Sequence, residues 1–205
     1  MQIPNFFEPA AAEELRQCLL NEVPFEMLLR DAKGQRSLPL SQAAQAQQSA
    51  LAHAKEHFAF CYEGYQMVPA YIEGRNPGLL LHSLLDFFNS ADYLQFMRKL
   101  TGTASLRRID AQATRYLPGH FLKRHNDLSD QEQRRYAYVL NLSQHWSADF
   151  GGLLQLMDSA DNVTHTYMPH FNSLTIFRVP MWHCVSTVAP FAIGARLAIT
   201  GWLQD

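Results

Sequence analysis

Arg115-Tyr-Leu-Pro-Gly-His-Phe-Leu-Lys-Arg-His-Asn-Asp127 is the stretch on which the reading of this chain turns. A strand running into Tyr116, a turn at Pro118-Gly119 and a second strand over 121–125 fit it better than any helix. If His125 ends that second strand, the two-residue period sends His125 and Asp127 to the same side. One imidazole and one carboxylate can then meet one metal ion. A turn carboxylate beside a surface histidine has the same local pattern, so the pair alone leaves both readings open.

Downstream, short β-branched and aromatic runs alternate with turn residues. Strands are expected near 106–116, 121–125, 135–142, 153–157, 163–168, 173–179, 183–188 and 196–202. About eight short strands in roughly 100 residues suggest a β-sandwich or closed barrel of the jelly-roll type. Upstream of about residue 105 the pattern is helical. Leu15, Cys18 and Leu19 fall on one face behind Pro9, a suitable first-turn residue. A second helix is expected over 41–62 and a third over 79–100, interrupted near Asn89-Ser90, with 31–39 a loop. The expected fold is therefore α+β: a jelly-roll core over 105–205 and a mainly helical support region over 1–104, all in one domain.

Bulk properties narrow the function. A hydrophobic content of 47% in 205 residues is ample for a core. A net charge of −2 argues against binding nucleic acid through phosphate neutralisation, and Arg107-Arg108 and Arg134-Arg135 are too short to form a basic stripe. Cys18, Cys61 and Cys184 form no C-x-x-C pair and read as reduced thiols. No secretory signal is visible, and no apolar run approaches the roughly 18 residues that span a bilayer. The expectation is a cytoplasmic protein with no membrane and no direct nucleic-acid partner.

Further elements bear on chemistry. His183 opens the strand-like run His-Cys-Val-Ser-Thr-Val188; it reads either as a ligand or as a core histidine. Together with His125 and Asp127 it would make a 2-His-1-carboxylate triad, which leaves positions open for a bidentate oxo-acid and O2, as a closed four-ligand zinc site does not. Arg196 shares a strand face with Ala198, Thr200 and Trp202. If buried it needs an anion, and the distal carboxylate of 2-oxoglutarate suits a guanidinium; at an edge it would simply be solvated. Tyr116 and Tyr138 could each donate to a bound carboxylate or serve as core aromatics.

The order of these pieces resembles the prolyl-hydroxylase branch of the 2-oxoglutarate- and Fe(II)-dependent dioxygenases. The match covers 113–205: the opening stretch above, Tyr138-Val-Leu-Asn141 before Trp146, Phe150-Gly-Gly-Leu-Leu-Gln-Leu156, Asn172-Ser-Leu-Thr-Ile-Phe-Arg178, His183-Cys-Val-Ser-Thr-Val188 and Gly194-Ala-Arg-Leu-Ala-Ile-Thr-Gly-Trp202. The phrase around His183 and its gap to Arg196 (196 − 183 = 13) look closest to the ribosomal prolyl hydroxylases. The resemblance implies a double-stranded β-helix and hydroxylation of a prolyl residue in a protein or peptide, with Fe(II), 2-oxoglutarate and O2. It also implies His125, Asp127 and His183 as iron ligands and Arg196 on the distal carboxylate, with Tyr138 adding a hydrogen bond. Tyr116 would lie over the co-substrate near the metal, and Leu154 and Trp202 would be pocket walls. The 127–135 segment departs from the pattern in being short. Eukaryotic ribosomal prolyl hydroxylases also carry a second domain with no counterpart in these residues. Hydroxylation of a free amino acid or other small molecule, and a non-catalytic jelly-roll binding protein, remain alternatives.

Overall fold

The computed structural model describes residues 1–129 and 132–205, so Asp130 and Gln131 of the short 127–135 segment lie outside the described residues. In chain order the elements are β1 (Gln2–Pro4), α1 (Pro9–Asn21), β2 (Glu26–Asp31), β3 (Gly34–Leu38), α2 (Ala43–Ala54), β4 (Phe60–Gln66), α3 (Met67–Ile72), α4 (Leu80–Phe88) and α5 (Ala91–Thr101). They continue with β5 (Arg108–Ile109), β6 (Gln112–Tyr116), β7 (Phe121–His125), β8 (Arg134–Asn141), β9 (Leu154–Met157), β10 (Val163–Tyr167), β11 (Ser173–Arg178), β12 (Trp182–Val185) and β13 (Arg196–Gln204).

The strands pair antiparallel in the order β1-β11-β8-β13-β6-β4-β7-β12-β9-β10, with β2 and β3 appended to β4 and β5 to β13. β4 sits at the corner of this nearly closed jelly roll. Its Phe60 and Cys61 pair with β7, while Glu63 to Gln66 pair with β6. The chain itself makes the same corner at Pro118-Gly119, between β6 and β7. There Gly119 takes a φ of 83°, a left-handed conformation that costs glycine little.

Side-chain parity assigns the two faces of the larger sheet. Tyr136, Tyr138 and Leu140 of β8, Leu197 and Ile199 of β13, and Leu174 and Ile176 of β11 pack under α1, α3, α4 and α5. Ala137 and Val139, Ala198 and Phe177 take the opposite, inner face, with Leu154 and Leu156 from β9. α5 is well delimited: Ser90 accepts a hydrogen bond from the Tyr93 N–H, Asp92 lies in the first turn, Arg98 and Lys99 in the last, and Gly102 closes it in the left-handed region. The expected break at Asn89-Ser90 is present. Asn89 donates to the Leu85 and Ile109 carbonyls and accepts from the Ile109 N–H, tying the helix pair to β5.

Two expectations for the first half fail. The helix expected over 41–62 ends at Ala54, where the Lys123 ammonium caps the Ala54 and His57 carbonyls, and the chain re-enters the sheet as β4. β4 is buried on both sides from Phe60 to Tyr65, so it lacks the polar alternation that marks a half-exposed strand. The segment expected to be a loop, 31–39, is largely β3, turned back on β2. Asp31 is buried at its start; its carboxylate receives the Arg36 guanidinium at 2.5 and 2.6 Å and the Ser49 hydroxyl at 2.5 Å, clamping the hairpin to α2.

His120 secures the corner. Its Nδ1 accepts the Leu117 N–H at 3.1 Å, and its backbone carbonyl accepts from Val188. Burial holds its pKa at about 4, so the neutral ring is the folded form. Because this is below the ~6.5 of an unfolded chain, the associated stability is complete above that pH and is lost as pH falls toward the folded value, by about 3 kcal/mol. Urea titrations at about pH 7.5 and about pH 4.5 should show His120→Asn losing less stability on acidification than the wild type. Equal losses would place the acid sensitivity elsewhere.

Candidate functional site

A narrow cavity opens between the inner faces of the two sheets. Its lining draws on β4, β6, β7, β8, β9, β11, β12 and β13 and includes Tyr62, Tyr116, Leu122, His125, Asp127, Leu154, Phe177, His183, Arg196 and Trp202. A separate hollow near Ser143, Trp146, His170 and Phe171 holds none of these.

His125 and His183 face each other across β7 and β12 as Cα partners, with ring centroids 4.1 Å apart. A β-bulge directs His125 inward. Between His125↔His183 and Leu122↔Val185, β7 advances three residues while β12 advances two. Under strict alternation Leu122 and His125 would take opposite faces, yet both line the cavity. Asp127 follows beyond the strand end at a φ of 60°, a region asparagine and aspartate visit more readily than other side-chain-bearing residues. Its two oxygens lie 3.3 Å from His125 Nε2 and 3.4 Å from His183 Nε2, and the three ligand atoms are within 4.8 Å of one another.

This donor set fits a metal ion. The His125 Nδ1–H donates to the Lys123 carbonyl at 2.9 Å and the His183 Nδ1–H to the Met181 carbonyl at 2.7 Å. A carbonyl can only accept, so both rings carry their proton on Nδ1 and present an Nε2 lone pair to Asp127. Burial, reinforced by His125, lowers His183 to about 4. Burial alone would raise Asp127, but the two imidazoles beside it, which can donate to it and carry charge only when protonated, outweigh burial and hold the carboxyl at about 2. Two neutral imidazoles and one carboxylate converge with other positions open.

Arg196 lies deeper and is the largest fully buried side chain among the described residues, only 1% exposed. Its guanidinium carbon is 4.9 Å over the Tyr116 ring, its Nε has no partner, and no carboxylate among the described residues lies within salt-bridge distance. Burial pulls its pKa below the ordinary arginine value. A buried guanidinium in this state calls for an anion from outside the chain. The narrow space between it and the triad suits a dicarboxylate that reaches a metal at one end and the arginine at the other.

Of the remaining expected residues, Leu154 forms apolar wall with Ala137, Val139 and Phe177. Trp202 lines the mouth; its indole N–H meets no acceptor in hydrogen-bonding geometry, yet it is near enough to help keep Asp127 ionised. Tyr116 stacks on Tyr62 at 4.9 Å and 13° beside Arg196. Tyr138 is a correction. It borders the cavity, but its ring packs edge-on against Phe88 and its hydroxyl donates to the Asp110 carbonyl at 2.8 Å, so the hydroxyl is committed away from the co-substrate contact expected of it. Tyr62 is not among the expected site residues because it falls at the end of the helix expected over 41–62; the spacing of Phe60 and Tyr62 is the available signal. Cys184 alternates away from the cavity and reaches Gln155 Oε1 at 3.6 Å.

Residues 111–204 match the family profile described as the 2OG-Fe(II) oxygenase superfamily. The chain is 30% identical over 120 residues to the prolyl 3-hydroxylase OGFOD1 of Xenopus laevis, an alignment covering 55% of this chain and 23% of that protein. It thus spans about a quarter of that relative's length. Its fold is similar to a Pseudomonas putida prolyl-4-hydroxylase, with a TM-score of 0.61 at 19% identity over 100% of this chain and 91% of that one. It is also similar to the Trichoplax adhaerens prolyl hydroxylase solved with a hypoxia inducible factor peptide fragment, with a TM-score of 0.60 at 17% identity over 100% and 83%. Residues 111–204 are thus similar to the 2OG-Fe(II) oxygenase superfamily, and the His-Asp-His cluster and the buried arginine both lie within that matched stretch.

Proposed function

We propose that this domain hydroxylates a prolyl residue in a protein or peptide, with a ribosomal or translation protein as the target class. The observation that carries the reading is the pairing, in one cavity, of an unpartnered buried Arg196 with the His125–Asp127–His183 cluster. The prolyl target draws support from the name of the similar Xenopus laevis protein and from the peptide held by the similar Trichoplax adhaerens one. The ribosomal class draws on the sequence around His183.

In this reading His125, Asp127 and His183 hold Fe(II), and Arg196 anchors the far carboxylate of 2-oxoglutarate through charge-assisted hydrogen bonds. Bound iron and co-substrate would supply the oxidation: 2-oxoglutarate would lose CO2 and take one atom of O2 to become succinate, and the other atom would enter a substrate C–H bond. The chain's own contribution is placement and exclusion. The Nδ1 hydrogen bonds fix both imidazoles, and the ionised Asp127 needs no proton removed before binding metal. The Tyr62–Tyr116 stack and the wall of Val139, Leu154 and Phe177 keep water from the interior. Trp202 borders the entrance, where a substrate side chain would meet the metal.

Protein incubated without oxygen with Fe(II) and 2-oxoglutarate should release succinate once O2 is admitted, and His183→Ala should release none. A proline-containing peptide digest that includes ribosomal proteins should yield species gaining one oxygen on proline. Oxidation confined to free amino acids would replace the peptide reading with a small-molecule one. Arg196→Ala should weaken 2-oxoglutarate binding by about 100-fold or more, since it removes one side of a buried charged pair. Tyr138→Phe should instead leave the co-substrate KM unchanged and lower stability by about 1 kcal/mol, the worth of its hydrogen bond to Asp110. A raised KM in Tyr138→Phe would return the co-substrate contact to that hydroxyl.

A further inference from the structure

We infer that Arg124 and Trp182, which supply no ligand atom and do not line the cavity, form a clasp that fixes the spacing of His125 and His183 and thereby sets the metal affinity of the centre; the inference rests on reading the triad as a metal site. Each imidazole is pinned to its own strand, His125 by the Lys123 carbonyl and His183 by the Met181 carbonyl. What remains free is the displacement of one strand against the other. The backbone restrains that displacement poorly at this point. The bulge leaves only two registered pairs between β7 and β12, and the backbone pairing of β7 on its β4 side ends at Lys123, whose N–H donates to the Ala59 carbonyl at 3.1 Å. The His125 end of β7 therefore has its ladder on one side only, among the described residues.

The clasp lies where the ladder fails. Arg124 belongs to the bulge, one residue before His125, and Trp182 directly precedes His183. The guanidinium carbon of Arg124 sits 3.7 Å over the Trp182 ring. Trp182 is itself registered on Met157 of β9, so the stack ties the bulged end of β7 to the better-paired β9–β12 ladder. A third element approaches the same guanidinium: Asp161, in the turn between β9 and β10, places Oδ1 2.5 Å from Arg124 Nε, an ion-pair contact outside hydrogen-bonding geometry. That turn is braced internally, Asp158 Oδ1 accepting the Ala160 and Asn162 N–H groups at 2.9 Å each. Lys123, the other residue of the bulge, is anchored separately on the Ala54 and His57 carbonyls. Both bulge side chains are thus committed to fixed partners, and His125 inherits its position from them. Arg124 and Trp182 are positioning residues: they act on the metal only through the imidazoles next to them.

The test is Co(II) binding to the metal-free protein, followed by titration and by the visible spectrum of the bound ion, with urea denaturation of each metal-free variant alongside. Arg124→Met and Trp182→Leu should each weaken Co(II) about tenfold or more, as loss of supports behind metal ligands does, and should alter the spectrum. Their metal-free urea midpoints should stay near that of the wild type. Trp182→Phe, which keeps a ring under the guanidinium, should recover affinity to within about threefold of wild type. Wild-type affinity in both Arg124→Met and Trp182→Leu, with binding lost in His183→Ala, would overturn the clasp and leave the metal centre standing. A loss of affinity that merely parallels a loss of folding stability would overturn it too. Undiminished binding by His183→Ala would instead remove the metal-centre reading. Should Trp182→Leu fail to fold, Arg124→Met decides, because its side chain is 30% exposed and its replacement opens no sealed core.

Discussion

A positive charge held in the interior without a counter-ion is the constraint around which this domain is arranged. Arg196 is sealed between sheets, and an isolated buried charge is among the costlier things a fold can contain. The structure limits that cost locally. The Tyr116 ring lies beneath the guanidinium, and Gly152 leaves the room that its Cδ occupies, since a β-carbon there would come within 3.0 Å. The remaining deficit can be met by a ligand with a negative end. A stable core would be more cheaply built with a leucine at this position, so the arginine makes sense as part of a binding site.

The triad obeys a related logic on the rim side. Two imidazoles and a carboxylate packed within 4.8 Å would be a poor core cluster, and each is prevented from relaxing into a better one. The Nδ1 protons are already used by backbone carbonyls, so neither Nε2 can donate to Asp127 without becoming cationic, and burial opposes that for His183. The cluster is kept short of satisfaction by its own hydrogen bonds, the state in which metal ligands are held ready.

Much of this was legible in the residues, and the parts that were not have physical reasons. His125, Asp127, His183 and Arg196 each leave two readings open locally; their order along the chain singles them out, and all four line one cavity. β4 was hidden because both its faces are buried, which removes the polar alternation that a strand reading relies on. Tyr138 was misassigned although its strand was expected over 135–142. Parity within β8 separates two faces without saying which one looks inward, and only the packing of Phe88 and Asp110 against it settles that. The bulge in β7 is invisible to a strict two-residue period; the expectation for His125 and Asp127 survived because both lie beyond it. The β2–β3 hairpin was obscured by its Gly- and Ser-containing composition, while the Asp31–Arg36 ion pair that fastens it is a contact no local window displays.

The position of β4 also separates two boundaries that are easily taken for one. The stretch similar to the oxygenase superfamily begins at residue 111, yet β4, at 60–66, is the strand that joins β6 to β7 and brings Tyr62 to the cavity wall. Cut away everything before residue 111, and both β6 and β7 would present bare edges at the same corner, with the aromatic stack split in half. The boundary of the family-model match is therefore not a limit of autonomous folding. A strand held chiefly by backbone hydrogen bonds tolerates many side chains, while its place in the ladder cannot be left empty.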